Sequence, residues 1–373
     1  MQTQWSFNSV DEAFENMVKV FLTSEQVQQT NSRNGPVLRL PGPQLFVYKQ
    51  PCNRVLFNPA RDCNPFFHLF ESLWMLAGCN RVKPLSYYNS NITDYSDDGE
   101  TFHGAYGYRW RSHFGVDQLK QIEEELLLDR ESRRCVLQIW SSTADLGIHM
   151  ITKDKPCNTH AYFALVNDHL DLTVCNRSND LVWGMLGANF VHMTLLLEYM
   201  ACCLNVPIGR YFHITNNLHV YLSNWRPSDW TNWKQHRTQY SPPILNHPMG
   251  HGPRLVSDQT VFDAECKRFV DSIDGTFQEP FLQNVAQPMM AAFRAHKQRK
   301  YFGDLNCFTL IDRVHAPDWR EAGRQWLMRR KENWMAKNKK GKGKTTNVYL
   351  AREEKRQAAN PDDSQYNGSG DSD

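Results

Sequence analysis

Pro156-Cys157-Asn158-Thr159-His160-Ala161-Tyr162-Phe163, followed by Leu170-Asp171-Leu172-Thr173-Val174-Cys175-Asn176-Arg177-Ser178, is the stretch that decides the fold. Apolar residues alternate in both halves, the period of a half-buried strand. Together they predict a β-hairpin that returns Arg177 and Ser178 to the neighbourhood of Cys157. A thiol of ordinary pKa is only a few per cent ionised at neutral pH, so a nucleophilic cysteine needs positive charge close by. The hairpin offers that charge.

Working outward, Val10 to Thr23 places Phe14, Met17, Val18 and Phe21 on one face behind Ser9, which predicts a capped helix. Asn64-Pro65 opens a second helix, Phe66 to Ala77, stopped by Gly78. Glu71 lies inside that apolar run, where an unpaired carboxylate is costly. Tyr87 to Phe114 reads as loop. Beyond it come a helix at Val116 to Leu128 and a strand at Arg134 to Trp140. A helix at Asn189 to Leu204, a strand region at Gly209 to Tyr221 and a last helix ending near Trp334 complete the series. Strands interleaved with helices predict an α+β fold, one large mixed sheet flanked by helices. Residues 1–335 are expected to form one domain. From Ala336 the chain is Lys, Gly, Asn, Ser and Asp with almost no apolar groups, so 336–373 is read as a disordered charged tail.

A composition of 41% hydrophobic and 22% charged residues excludes the fibrous and disordered classes. Apolar runs stop short of the roughly 20 residues of a membrane span, and Met1 to Ser9 is polar, so no membrane, no signal peptide and a cytoplasmic location are expected. Ten cysteines without a C-x-x-C pair read as reduced thiols. Cys157 and His160 have C-x-x-H spacing but no second ligand pair, so no metal is expected. Lys337 to Lys344 could serve as an electrostatic arm for nucleic acid on a retired enzyme core, a reading of another class. Intact Cys157, Glu71 and four arginines argue against retirement.

These residues resemble the thymidylate synthase and pyrimidine hydroxymethylase family. The likeness runs from about Arg33 to Trp225 and rests on seven pieces in order. They are Ser32-Arg33-Asn34-Gly35, Glu71-Ser72-Leu73-Trp74, Tyr106-Gly107-Tyr108-Arg109-Trp110-Arg111, Ser132-Arg133-Arg134, Pro156-Cys157, Arg177-Ser178-Asn179-Asp180 and His219-Val220-Tyr221. The resemblance implies a homodimer whose large sheets pack back to back. It also implies a pyrimidine nucleoside monophosphate substrate and 5,10-methylenetetrahydrofolate as one-carbon donor. Arg33, Arg177 and Ser178 would hold the 5′-phosphate, with Arg133 and Arg134 reaching it from the partner chain. Cys157 would add to pyrimidine C6, Glu71 would shuttle protons and Tyr106 would assist proton removal. His219 and Tyr221 would hold the sugar hydroxyl, and Asp180 would contact the folate pterin. Asn189 would read the base: its carboxamide can accept from uracil N3–H and donate to O4, which favours dUMP.

Three departures bear on the product. The residue after the nucleophile is Asn158 where the family's synthases usually carry His. No Trp occurs between Trp74 and Trp110, where synthases shield the methylene intermediate near Asn91 to Tyr95. The chain ends in Gly-Ser-Gly-Asp-Ser-Asp instead of a short apolar lid. A wetter site lets water capture the methylene, giving 5-hydroxymethyl-dUMP and tetrahydrofolate. A dUMP hydroxymethylase of phage type is therefore the expectation. A thymidylate synthase and a dCMP or CMP hydroxymethylase stand as the alternatives.

Overall fold

The computed structural model describes residues 2–147, 152–223 and 252–359, with side chains to 338. By its internal contacts the chain separates into two units, Met1–Trp326 and Leu327–Asp373. In the first unit, β1 (Gln4–Phe7), β4 (Gln44–Tyr48), β9 (Ile208–Thr215), β7 (His169–Asn176), β6 (Asn158–Val166) and β5 (Val136–Gln138) form a six-stranded mixed sheet in that order. The predicted hairpin is its β6–β7 pair, antiparallel from Asn158↔Asn176 to Val166↔His169. Asn167 and Asp168 turn it with φ of 50° and 62°, a region these two residue types tolerate.

A second, four-stranded sheet was not expected. It contains β2 (Gln28–Ser32), β3 (Gly35–Leu40), β10 (Leu218–Tyr221) and β8 (Asn179–Asp180). The single large sheet of the sequence reading is therefore two sheets. The chain passes from the large sheet to the small one without an intervening helix at Arg177-Ser178 and at Asn216-Asn217. The strand region expected from Gly209 to Tyr221 breaks at the second crossing.

Helix α1 (Val10–Thr23) is capped by Ser9, whose Oγ accepts from Glu12 N–H at 3.1 Å. Helix α2 (Pro65–Leu76) is capped by Asn64, and every one of its 12 residues is buried. The surface helix α3 (Gln118–Leu128) keeps one apolar face inward. Helices α4 (Asn189–Cys203), α5 (Gln259–Asp271) and α6 (Gln287–Lys297) surround α2, so it shows no amphipathic stripe. Each buried Phe or Leu along α2 contributes about 1.5–3 kcal/mol. Leu181–Cys203 is, against expectation, long and apolar enough to cross a membrane, yet 72% of its most apolar window is buried within the protein. Its Leu186 and Gly187 leave helical geometry just before Asn189.

The last helix, α7, runs from Pro317 to Ala359, past the expected end near Trp334. Lys, Arg, Glu, Gln and Ala favour helix on their own account. A lack of apolar groups therefore argued against core packing and not against helix. Residues 360–373 lie outside the described part.

Candidate active site

Cys157 stands one residue before β6 and is half-buried. Arg177 follows β7 directly opposite. Its backbone N–H donates to Cys157 O at 3.0 Å, its Nε to Pro156 O at 2.8 Å and its Nη2 to Lys155 O at 3.0 Å. The two side-chain bonds hold the guanidinium with Nη2 3.9 Å from the Cys157 sulfur. The Trp140 ring supports it at 5.6 Å.

Burial pushes the Cys157 thiol above its ordinary value, against the pull of Arg177 and Arg33, while Asp154 and Asp180 add to the rise. The sequence reading expected the positive charge to prevail. Desolvation outweighs it. Both guanidiniums favour the thiolate, yet burial leaves it the minority form.

Tyr106 ties the nucleophile to a neighbouring cleft. Its Oη accepts from Cys157 N–H at 3.3 Å, and burial, with Cys157 and Asp154 adding, keeps the phenol protonated. The cleft, about 160 Å³, is lined by Glu71, Tyr106, Asp154, Asn189 and His192. Trp74, Ile92, Tyr95 and Phe102 form its apolar wall. Glu71 comes from α2 and His192 from α4, with Oε2 and Nε2 2.9 Å apart, although the geometry is not that of a hydrogen bond. Asp154 accepts from Gly104 N–H at 2.9 Å, and burial pushes its carboxyl up.

The small sheet supplies a second set. Arg33 and Asn34 form the tip between β2 and β3, where Ser32 pairs with Gly35 and Gly35 has a φ of 106° that favours glycine. The ring centroid of Tyr221 on β10 lies 4.9 Å from that of His219. His219 pairs with Asp180 across β10 and β8. Asp180 Oδ1 accepts from Val182 N–H at 2.8 Å and from Trp183 N–H at 2.5 Å, capping the following helix. Burial pushes the Asp180 carboxyl up, opposed by the Trp183 N–H and by His219.

Ser178 lies half-buried between Arg177 and β8. Arg133 and Arg134 are exposed before the edge strand β5, and Arg134 pairs with Glu125 at 2.7 Å. The structure thus brings Cys157 together with Arg177, Arg33 and Tyr106, and places Glu71 and Asn189 in the adjoining cleft. Arg133 and Arg134 are not brought to this group within one chain. Trp225, the end of the resemblance, falls outside the described residues.

Sequence reasoning missed His192, Asp154 and a buried polar set formed by Asn176, Asn179 and His213. His192 follows Asn189 by three residues on one helix and so shares its face, a usable signal. His213 sits among alternating strand residues, where its spacing gives no signal that sets it apart from core. Asn158 is completely buried, and neither polar atom of its amide finds a hydrogen bond among the described residues. Also among the described residues, no group of three or more His, Cys, Asp or Glu is placed to hold a metal ion.

The family profile described as thymidylate synthase matches residues 61–270. Curated relatives described as deoxyuridylate hydroxymethyltransferase come from three phages. That of Pseudomonas phage M6 is 42% identical over 82% of this chain and 89% of its own length. That of Bacillus phage SP01 is 42% identical over 49% of this chain and 50% of its own, and that of Delftia phage PhiW-14 is 29% identical over 52% and 56%. A crystal structure of thymidylate synthase from T4 phage is similar at TM-score 0.48 and 19% identity, covering 61% of this chain and 81% of that one. With its profile spanning more than half the sequence and its site residues gathered around Cys157, the chain belongs to the thymidylate synthase family.

Proposed function

We propose that this protein is a dUMP hydroxymethylase, converting dUMP, 5,10-methylenetetrahydrofolate and water into 5-hydroxymethyl-dUMP and tetrahydrofolate. The observation that carries the reading is the Cys157 sulfur held 3.9 Å from Arg177 Nη2, beside a cleft that opens onto Glu71 and Asn189. Arg177 and Arg33 can anchor a phosphate dianion by charge-assisted bonds, with Ser178 adding a hydroxyl. The cleft suits a ring with polar edges. Among the described residues, Glu71 Oε2 and both His192 nitrogens are buried there without a hydrogen bond, in a cleft that also has an apolar wall.

In this reading the Cys157 thiolate forms a bond to C6, and the displaced electron pair makes C5 nucleophilic. The folate supplies a one-carbon unit at the methylene level, with Asp180 and the apolar wall to hold it. Tyr106 and Glu71 sit where the C5 proton must leave and where water must be ordered. C5 bonds to the folate's one-carbon unit, and loss of the C5 proton breaks that carbon's bond to the tetrahydrofolate nitrogen. Water then adds its oxygen to the exocyclic methylene left behind. The sulfur leaves C6 with its bonding pair, and the ring double bond returns. No electrons change hands beyond these, so tetrahydrofolate is released unoxidised.

Two things support hydroxymethylation over methylation. The segment Ser90–Tyr95, which presents Ile92 and Tyr95 to the cleft, contains no indole to exclude water. The relative from Pseudomonas phage M6, matched over most of both chains, carries the hydroxymethyltransferase description. A homodimer through the open face of the large sheet belongs to the same reading. Val136, Tyr162, Thr173 and Phe212 form one cross-strand row, and the first two are 44% and 42% exposed. Arg133 and Arg134 flank that face and would serve the partner's phosphate.

The test is product identity. Purified protein with dUMP and methylenetetrahydrofolate is expected to give the hydroxymethyl nucleotide by mass spectrometry with no dihydrofolate absorbance. Formation of dTMP together with dihydrofolate would make the protein a synthase instead.

A further inference from the structure

A row of buried amides ends at Asn189 in the cleft; the base-reading role that the family resemblance implies for Asn189, taken with the proposed function, is the premise here. The direction of the row is fixed at its far end by Asn176. Asn176 Nδ2 donates to Ile214 O at 3.2 Å, and a backbone carbonyl can only accept. The same NH2 lies 3.2 Å from His213 Nε2, which must therefore be the accepting nitrogen. The neutral ring then carries its proton on Nδ1, 2.7 Å from Tyr211 Oη. Burial pushes the His213 pKa down to about 3, so the ring does not become a donor at both nitrogens near neutral pH.

A second amide meets this acceptor. Asn179 Nδ2 donates to His213 Nε2 at 2.8 Å, which turns Asn179 Oδ1 the other way. That oxygen accepts from Asn189 Nδ2 at 3.4 Å. Asn189 is thereby left with its carbonyl as the group for the cleft. Gly184 keeps the junction open: a Cβ there would stand 2.2 Å from Asn179 Oδ1 and 3.1 Å from Asn189 Nδ2. Asn176, Asn179, His213 and Tyr211 are all buried, so water does not compete for these bonds.

We propose that Asn176, His213 and Asn179 are positioning residues that set base choice, by locking Asn189 with its carbonyl toward the substrate. A carbonyl accepts uracil N3–H and repels the lone pair on cytosine N3. With the proton moved to His213 Nε2, both Asn179 and Asn189 would turn over and present N–H to the base. That is the polarity cytosine needs.

The test compares kcat/KM for dUMP and dCMP in the full-length wild type, Asn179→Leu and Asn179→Asp. Leucine cannot accept from Asn189, so the dUMP-to-dCMP ratio is expected to fall at least about tenfold. Aspartate retains the acceptor and is expected to keep the wild-type ratio even where kcat changes. Equal losses on both nucleotides in both variants, with the ratio unmoved, would overturn the proposal. A second readout needs no turnover. NMR of the wild type labelled with ¹⁵N-histidine is expected to show His213 neutral and protonated at Nδ1, and an Nε2–H tautomer would overturn it equally. A wild type that prefers dCMP would instead sink the proposed function, a result distinct from an unmoved ratio.

Discussion

The two sheets contribute different things to one site. From the six-stranded sheet come the candidate nucleophile and the guanidinium beside it, held on a hairpin by bonds from Arg177 to backbone carbonyls. The four-stranded sheet supplies Arg33, Asp180, His219 and Tyr221 from short strands and an exposed turn tip. The chain joins the sheets at Arg177-Ser178, where the two groups of candidate site residues meet. The large sheet should therefore control reactivity and the small sheet mostly affinity.

Substitution of the two arginines would break this division or sharpen it. Arg177→Gln is expected to lower kcat/KM for dUMP by about 10²–10³, the cost of a lost charge-assisted contact. It should also slow alkylation of Cys157 by iodoacetamide at fixed pH, read by mass spectrometry of the Cys157 peptide, because the thiol loses its main downward pull. Arg33→Gln at the exposed tip should cost only about tenfold, chiefly in KM. Equal effects of the two would remove the distinction between the sheets.

Gly184→Ala probes the join itself. Its Cβ would collide with Asn179 Oδ1, and overpacking of this kind costs about 1–3 kcal/mol. The expected result is a roughly tenfold loss of kcat/KM for dUMP with less discrimination against dCMP. Undiminished activity and selectivity would show that Asn179 and Asn189 need not touch.

A smaller effect lies far from the chemistry. Burial pushes the Asp318 carboxyl up to about 7 despite Arg54 nearby. Its folded pKa exceeds its unfolded one, so the folded state binds more protons between about pH 4 and pH 7, and stability falls as pH rises through that window. Asp318→Asn is expected to remove this component, up to ~1.4 kcal/mol per pH unit in the window. Urea unfolding at several pH values checks it: parallel stability curves for the two proteins would contradict the assignment.

The large sheet was legible because β6 and β7 alternate cleanly, and the hairpin they predicted is the one present. The small sheet was not. Gln28–Ser32 is exposed along nearly its whole length, so it has no apolar face to alternate, and β8 is only two residues long. Cys157 and Arg177 could be paired from sequence because a hairpin fixes their distance. Asn179 and His213 come from different sheets, and only the crossing brings them together. The balance of forces on the thiol was also hidden, since burial depends on packing that spacing alone does not reveal.

The proposed reaction turns on a bond between the Cys157 sulfur and C6 of a bound pyrimidine nucleotide. Incubation with 5-fluoro-dUMP and methylenetetrahydrofolate tests it most directly, because fluorine at C5 cannot leave as a proton and the adduct should stall. Mass spectrometry of the digested protein is expected to find the nucleotide attached to the peptide containing Cys157, and none in Cys157→Ala. An unmodified Cys157 in protein that still turns over dUMP would contradict the covalent mechanism.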